Sequence, residues 1–110
     1  MNILLDECVP RKFKEFFVGG HTCKTVPEAG FAGKRNGELL RSVEGLFDVF
    51  ITLDKGLPFQ QNLGRNQIAV VVLRARLNRL ADVAPFAPAC VRALRTAKPG
   101  ELLMLDSGSD

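Results

Sequence analysis

The chain has 110 residues, 46% apolar and 25% charged, which is the size and balance of one compact globular domain with a mildly basic net charge of +3. A chain this short can bury a core but has no room for a separate substrate domain, so a large substrate must lie across its surface or across an oligomer. No stretch approaches the roughly 18 apolar residues of a membrane span, and Met1-Asn2-Ile3-Leu4-Leu5-Asp6 meets an acid too early for a signal peptide, so a cytoplasmic location is expected.

In chain order, Asn2–Leu5 reads as a short apolar strand, and Pro10 opens a helix through Arg11–Phe17 that sets Phe13, Phe16 and Phe17 on one face. Gly19-Gly20 stops it. His21–Val26 is a second strand, followed by a glycine-punctuated loop from Pro27 to Gly37. Asn36 is the expected N-cap of a helix running from Glu38 through Glu44 to Gly45. Asp48–Leu53 is a third strand, Leu57–Leu63 one or two helical turns, and Gln67–Leu73 a β-branched run of the kind buried in a parallel sheet. Leu80–Ala97 is helical, kinked or split by Pro85 and Pro88. Glu101–Leu105 closes the pattern as a strand, and Ser107–Asp110 is a tail expected to fray. Strands alternating with helix-length connections predict a single domain over residues 1–106, a three-layer α/β/α sandwich with a central, mostly parallel sheet.

In such a sheet every strand ends on the same edge, and functional groups gather in the crevice beyond that edge. Asp6 and Glu7 follow the first strand, Asp54 follows the third, and Glu38 sits in the first turn of the helix that starts near Asn36. Three carboxylates from separate chain positions can therefore converge, which suits octahedral Mg²⁺ or Mn²⁺ completed by water and substrate phosphate. Asp6 and Asp54 are the expected metal ligands, and Glu38 completes the site. Glu7 ranks behind them, because continued strand geometry would point it to the other sheet face. Taken singly, each acid could equally cap a helix or complement its dipole.

Charge is unevenly spread. Residues 1–64 carry eight basic and eight acidic side chains, whereas residues 65–98 carry seven basic ones against Asp82 alone. An arginine-rich flank beside an acidic metal site suits a polyanion, with Arg74, Arg76 and Arg79 as guides for RNA. Cys8, Cys23 and Cys90 are odd in number and widely spaced, which argues against a disulfide framework and a zinc knuckle and for ordinary buried thiols.

The segments Leu4-Leu5-Asp6-Glu7-Cys8-Val9-Pro10, Ala32–Leu40, Phe47–Lys55 and Gln60–Leu63 together resemble the small PIN-like domains related to VapC-type toxin ribonucleases, in order over nearly the whole chain. The resemblance implies a PIN-like fold, Mg²⁺- or Mn²⁺-dependent endoribonuclease chemistry, an antitoxin protein as partner and a homodimer. It sets Asp6, Glu38 and Asp54 at the family's acidic positions. This chain departs from the pattern at Asn36 and Gly56, where many relatives carry acidic or polar residues, and Asp48 stands at the wrong end of its strand to supply a fourth acid.

Smaller features bear on substrate. Asn36, Gln61 and Asn62 are candidates for holding phosphate or orienting water, as is Asn78 beside Arg79. His21, the only histidine, opens a strand at the rim opposite the acids. Two rival readings stand beside the nuclease. One is a non-catalytic PIN-like module that binds RNA or protein without a competent metal centre. The other is a receiver-like domain with Asp54 as phosphoacceptor, but that needs a lysine after the fifth strand, whereas Lys98-Pro99 precedes it.

Overall fold

A computed structural model describes residues 1–56 and 67–106. Five strands, β1 (Asn2–Leu5), β2 (Thr22–Thr25), β3 (Val49–Thr52), β4 (Ala69–Leu73) and β5 (Leu102–Leu105), form one sheet in the order β2-β1-β3-β4-β5. Every pairing is parallel, where the sequence predicted a mostly parallel sheet. The connections are a 3-10 helix Arg11–Phe16, helix α1 (Asn36–Val43), and a split segment made of α2 (Leu80–Val83), a 3-10 turn (Ala84–Phe86) and α3 (Ala87–Leu94).

The two-residue period of the strands divides the core into two layers. Ile3, Leu5, Val49, Ile51, Val71 and Leu73 face one side, where Phe13, Val83, Phe86, Cys90 and Leu94 cover them. Leu4, Phe50, Val70 and Val72 face the other, against Leu39, Leu40 and Val43 of α1 and Val26. Helices on both faces of a parallel sheet make the three-layer α/β sandwich that the sequence predicted. Both faces of β3 and β4 are buried, which is why those strands read as continuous apolar runs.

Pro85 and Pro88 split the last helix as expected, each falling within the first two positions of a new helical segment, where proline's missing N–H costs nothing. Three local readings are corrected. Asn36 is the first helical residue and not the cap, because the extended Arg35 precedes it and its carbonyl accepts from Leu39 N at 3.2 Å. The aromatic trio is not on one buried face. Phe13 is buried, but Phe16 is 42% exposed, and Phe17 turns inward only because the chain becomes extended after the 3-10 helix. Helix α1 ends at Val43, and the left-handed turn that follows it falls on Gly45 at φ 81°. The expected turns at Leu57–Leu63 and the tail Ser107–Asp110 lie outside the described residues. Among the described residues no helix is long and apolar enough to cross a membrane.

Candidate functional site

From β1 the chain adds β2 on one side and β3 on the other, so the strand order reverses between β1 and β3. A crevice opens at such a reversal, beyond the carboxyl ends of the strands. Asp6 and Asp54 flank this point. Asp6 N still donates to Ile51 O at 2.9 Å, as the last rung between the two strands, and the chain then turns, with Val9 N donating to Asp6 O at 3.0 Å.

Strand alternation carries Asp6 to the Leu4 side and Thr52 to the Phe50 side, which is the same face of the sheet. Thr52 is fully buried, and its hydroxyl donates to Asp6 Oδ2 at 2.7 Å while accepting from Asp54 N at 3.0 Å. One side chain thus joins both aspartates. Asp6 Oδ1 accepts from Glu7 N at 2.8 Å, and the Cys8 thiol lies 3.5 Å from Asp6 Oδ2. Asp54 Oδ1 accepts from Gly56 N at 2.9 Å, and its other oxygen has no hydrogen bond among the described residues. Burial pushes the Cys8 thiol up, the Leu53 backbone works against that, and the Asp6 charge adds to it. The sulfur is therefore a protonated neighbour of Asp6 rather than a thiolate at neutral pH.

Asp6, Glu7 and Asp54 line a single cleft of about 690 Å³, together with Lys34, Arg35, Lys55 and Arg76. Glu7 faces this cleft because the turn at Asp6–Val9 ends the strand alternation that would have sent it to the far face. It accepts from Gly33 N at 3.3 Å. Glu38 is held elsewhere: it forms a 3.0 Å ion pair with Lys34, is 64% exposed and is not part of the cleft lining. The i,i+4 spacing of Lys34 and Glu38 at the start of α1 explains the pairing. The sequence did not single out Lys34, Arg35 or Lys55 as site residues, although Lys55 adjoins Asp54 and the other two lead directly into α1.

Of the three arginines expected to guide RNA, only Arg76 lines the acidic cleft. Arg74 pairs with Asp106 at 3.3 Å. Arg79 pairs with Asp82 at 2.8 Å and lines a second cleft of about 570 Å³, which adjoins the first and shares Asp6, Glu7, Cys8 and Asn78 with it. Gln61 and Asn62 lie outside the described residues, and for Asn36 only the backbone position at the start of α1 is described. His21 Nδ1 lies 3.5 Å from the amino terminus, at the amino-terminal rim and away from the acids. Lys98-Pro99 also precedes its strand, at the rim opposite Asp54, as the sequence indicated.

No group of three His, Cys, Asp or Glu side chains able to hold a metal ion occurs among the described residues. The expected three-acid centre is therefore not assembled from Asp6, Asp54 and Glu38. Asp6 and Asp54 line one cleft, and their carboxylate oxygens are of the donor type that Mg²⁺ or Mn²⁺ takes in its minimal form, one or two carboxylates with water and substrate phosphate. Comparison with family models, curated proteins and solved structures finds no match for this chain.

Proposed function

We propose that the chain is a Mg²⁺- or Mn²⁺-dependent endoribonuclease of PIN-like type. The observation that supports this most directly is the pair Asp6 and Asp54, brought from two neighbouring strands to one cleft and ringed by Lys34, Arg35, Lys55 and Arg76. Asp6 and Asp54 would hold the ion, and Glu7, which lines the same cleft, would act on its water. When bound, such an ion neutralises charge building on a phosphate and lowers the pKa of water.

The chain's own residues do the rest. Arg35, Lys55 and Arg76, the cleft cations other than the Glu38-paired Lys34, draw a phosphodiester into the cleft against the charge of the aspartates and fix it there. Thr52 holds Asp6 in one orientation from a fully buried position, so the carboxylate need not reorganise when substrate arrives. Hydrolysis forms one P–O bond from water and breaks another in the RNA backbone, and the departing oxygen takes its proton from solvent in this open cleft. An antitoxin partner, a homodimer and a role as the toxin of a toxin–antitoxin pair belong to the same reading on the resemblance alone.

The Lys34–Glu38 ion pair favours a second reading, in which the fold binds RNA or protein without cutting, because it withholds the third acid. The two are separated by incubating a panel of structured and single-stranded RNAs with the purified protein in Mn²⁺ or Mg²⁺, beside EDTA and an Asp6→Asn/Asp54→Asn double variant. Cleavage lost in both controls is the result expected of the nuclease. No cleavage by the unaltered protein, together with no Mn²⁺ binding in calorimetry, would overturn the nuclease and favour the binding module.

A further inference from the structure

The two edges of the sheet are finished differently. At one edge, Thr22 N donates to Met1 O and Val26 N to Leu5 O, so it is Cys23 and Thr25 of β2 that turn their backbone groups outward. Thr25 N is taken by Glu28 Oε1 at 2.9 Å, and the exposed Lys24 adds a charge to the strand. Lysines and occupied backbone groups are the means by which an edge avoids pairing with another chain. At the other edge, Leu102-Leu103-Met104-Leu105 of β5 carries no charge. Val70 N donates to Glu101 O at 2.8 Å and Arg74 N to Leu105 O at 2.9 Å, so the odd-numbered residues turn their backbone groups to β4. Leu102 and Met104 therefore present N–H and C=O outward, where nothing takes them among the described residues, and the Met104 side chain is 37% exposed as well.

We infer that β5 is the contact between two copies of this chain, which join edge to edge with their β5 strands antiparallel. The two outward-facing residues stand on either side of Leu103. A two-fold axis through Leu103, normal to the sheet, sets Leu102 opposite Met104 of the second copy and Met104 opposite its Leu102, and each pair exchanges both backbone bonds. Leu103 meets its own counterpart at the axis. The same rotation lays Asp106 opposite Gly100 of the second copy, beside the turn that carries Lys98. The Asp106 side chain is 79% exposed, and Lys98 is exposed without an ion pair among the described residues, so opposite charges meet once at each end of the contact. Parallel pairing gives no such closure, because a two-fold along the strands sets the outward groups level where a parallel ladder needs them staggered. The antiparallel axis keeps α3 of both copies on one face and turns the two carboxyl rims to opposite ends, so each cleft stays the property of one chain. The contact depends neither on the nuclease reading nor on the resemblance, and RNA takes no part in its test.

The test is sedimentation velocity of the purified protein from about 1 to about 200 μM, a range across which the unaltered chain is expected to pass from monomer to dimer. Met104→Pro deletes an outward N–H that β4 does not use, and Met104→Lys sets a charge on the edge. Each is expected to weaken the dimer about tenfold or more, since the two-fold makes every loss count twice, while circular dichroism of Met104→Lys stays that of the unaltered chain. Lys24→Glu, at the other edge, is expected to change nothing. Leu103→Cys reads the register, because mild oxidation should convert it to a disulfide-linked dimer across the axis, where Cα atoms approach to about 4.5 Å. Leu105→Cys, opposite Glu101 of the second copy, should cross-link no more than the unaltered chain with its own thiols. A dimer unmoved by Met104→Lys, or equal cross-linking of the two cysteine variants, would overturn the contact. A monomer throughout the range would overturn it too and leave β5 to a strand from a different protein.

Discussion

The Thr52 hydroxyl donates a 2.7 Å hydrogen bond to Asp6 Oδ2 across the seam between β3 and β1, and Thr52 Oγ1 itself accepts from the backbone N–H of Asp54. Replacing Thr52 by valine keeps the shape and removes both contacts, leaving a carboxylate oxygen and an N–H short of partners in a part-buried place. A loss of about 1–3 kcal/mol is expected from urea denaturation, because an unpaired buried polar group costs its full desolvation. Thr52→Ser restores the hydroxyl and should recover most of that loss, and Mn²⁺ affinity should follow the same order.

Glu38 and Asp6 should separate cleanly in metal binding. Glu38 is occupied by Lys34 outside the cleft lining, whereas Asp6 forms part of the wall. If the proposed reading holds, calorimetry with Mn²⁺ should give Glu38→Gln an affinity within about twofold of the unaltered chain, and Asp6→Asn or Asp54→Asn a drop of about tenfold or more, since each would then remove a charged ligand. Equal losses for Glu38→Gln and Asp6→Asn would restore Glu38 as a ligand and show that Lys34 releases it.

Acid should weaken the fold through Glu28. Its carboxylate accepts from Lys14 Nζ at 2.6 Å and from Thr25 N at 2.9 Å, and these bonds, Lys14 first, hold its pKa at about 2 against an ordinary 4.5. A depressed acid stabilises the folded chain fully above the ordinary value, and that contribution fades as pH falls from about 4.5 to about 2. Thermal melts across this range should show a steeper acid-side loss for the unaltered chain than for Glu28→Gln, which is already uncharged and should start lower at pH 6.

Phe13 anchors the 3-10 helix to the sheet. It is fully buried, with the rings of Phe16 and Phe17 at 5.6 and 5.4 Å. Phe13→Ala should cost about 3–5 kcal/mol in denaturant unfolding, the usual range for emptying a core aromatic site. Phe16→Ala, at a 42% exposed position, should cost far less.

The thiols should react in the order of their burial. Burial pushes Cys90 and Cys23 up to about 12 and raises Cys8, so at pH 8 the folded chain should label slowly at all three sites, with the fully buried Cys90 last. Denaturant should make the three equivalent. Rapid labelling of Cys90 in the folded chain would contradict its place on the buried face of α3.

The strands and the rim were legible in the sequence because their signals are local and unambiguous. Val70-Val71-Val72 admits little but a buried strand, and an acid directly after an apolar run marks a strand's end whatever its neighbours do. The two prolines likewise announced the division of the last helix. What could not be read locally was which charge answers which. Whether Glu38 meets a metal or Lys34, and whether Arg74 and Arg79 face a substrate or Asp106 and Asp82, depends on side-chain geometry that spacing leaves open. The turn at Asp6–Val9 brought Glu7 to the cleft for a similar reason, since strand alternation is a rule only as long as the strand lasts.

Each strand pairing in this sheet joins segments separated by a crossover, and no hairpin occurs among the described strands. Ile3 sits beside Val49 and Leu5 beside Ile51, so Asp6 meets Asp54 only after nearly half the chain has been made and a long loop has closed. Long-range closure is the slow part of folding. A ribosome-bound or proteolytically shortened chain that lacks β3 therefore carries Asp6 with nothing opposite it. The cleft therefore comes into being late in the life of the molecule, when synthesis has passed β3 and the two ends of the seam have met.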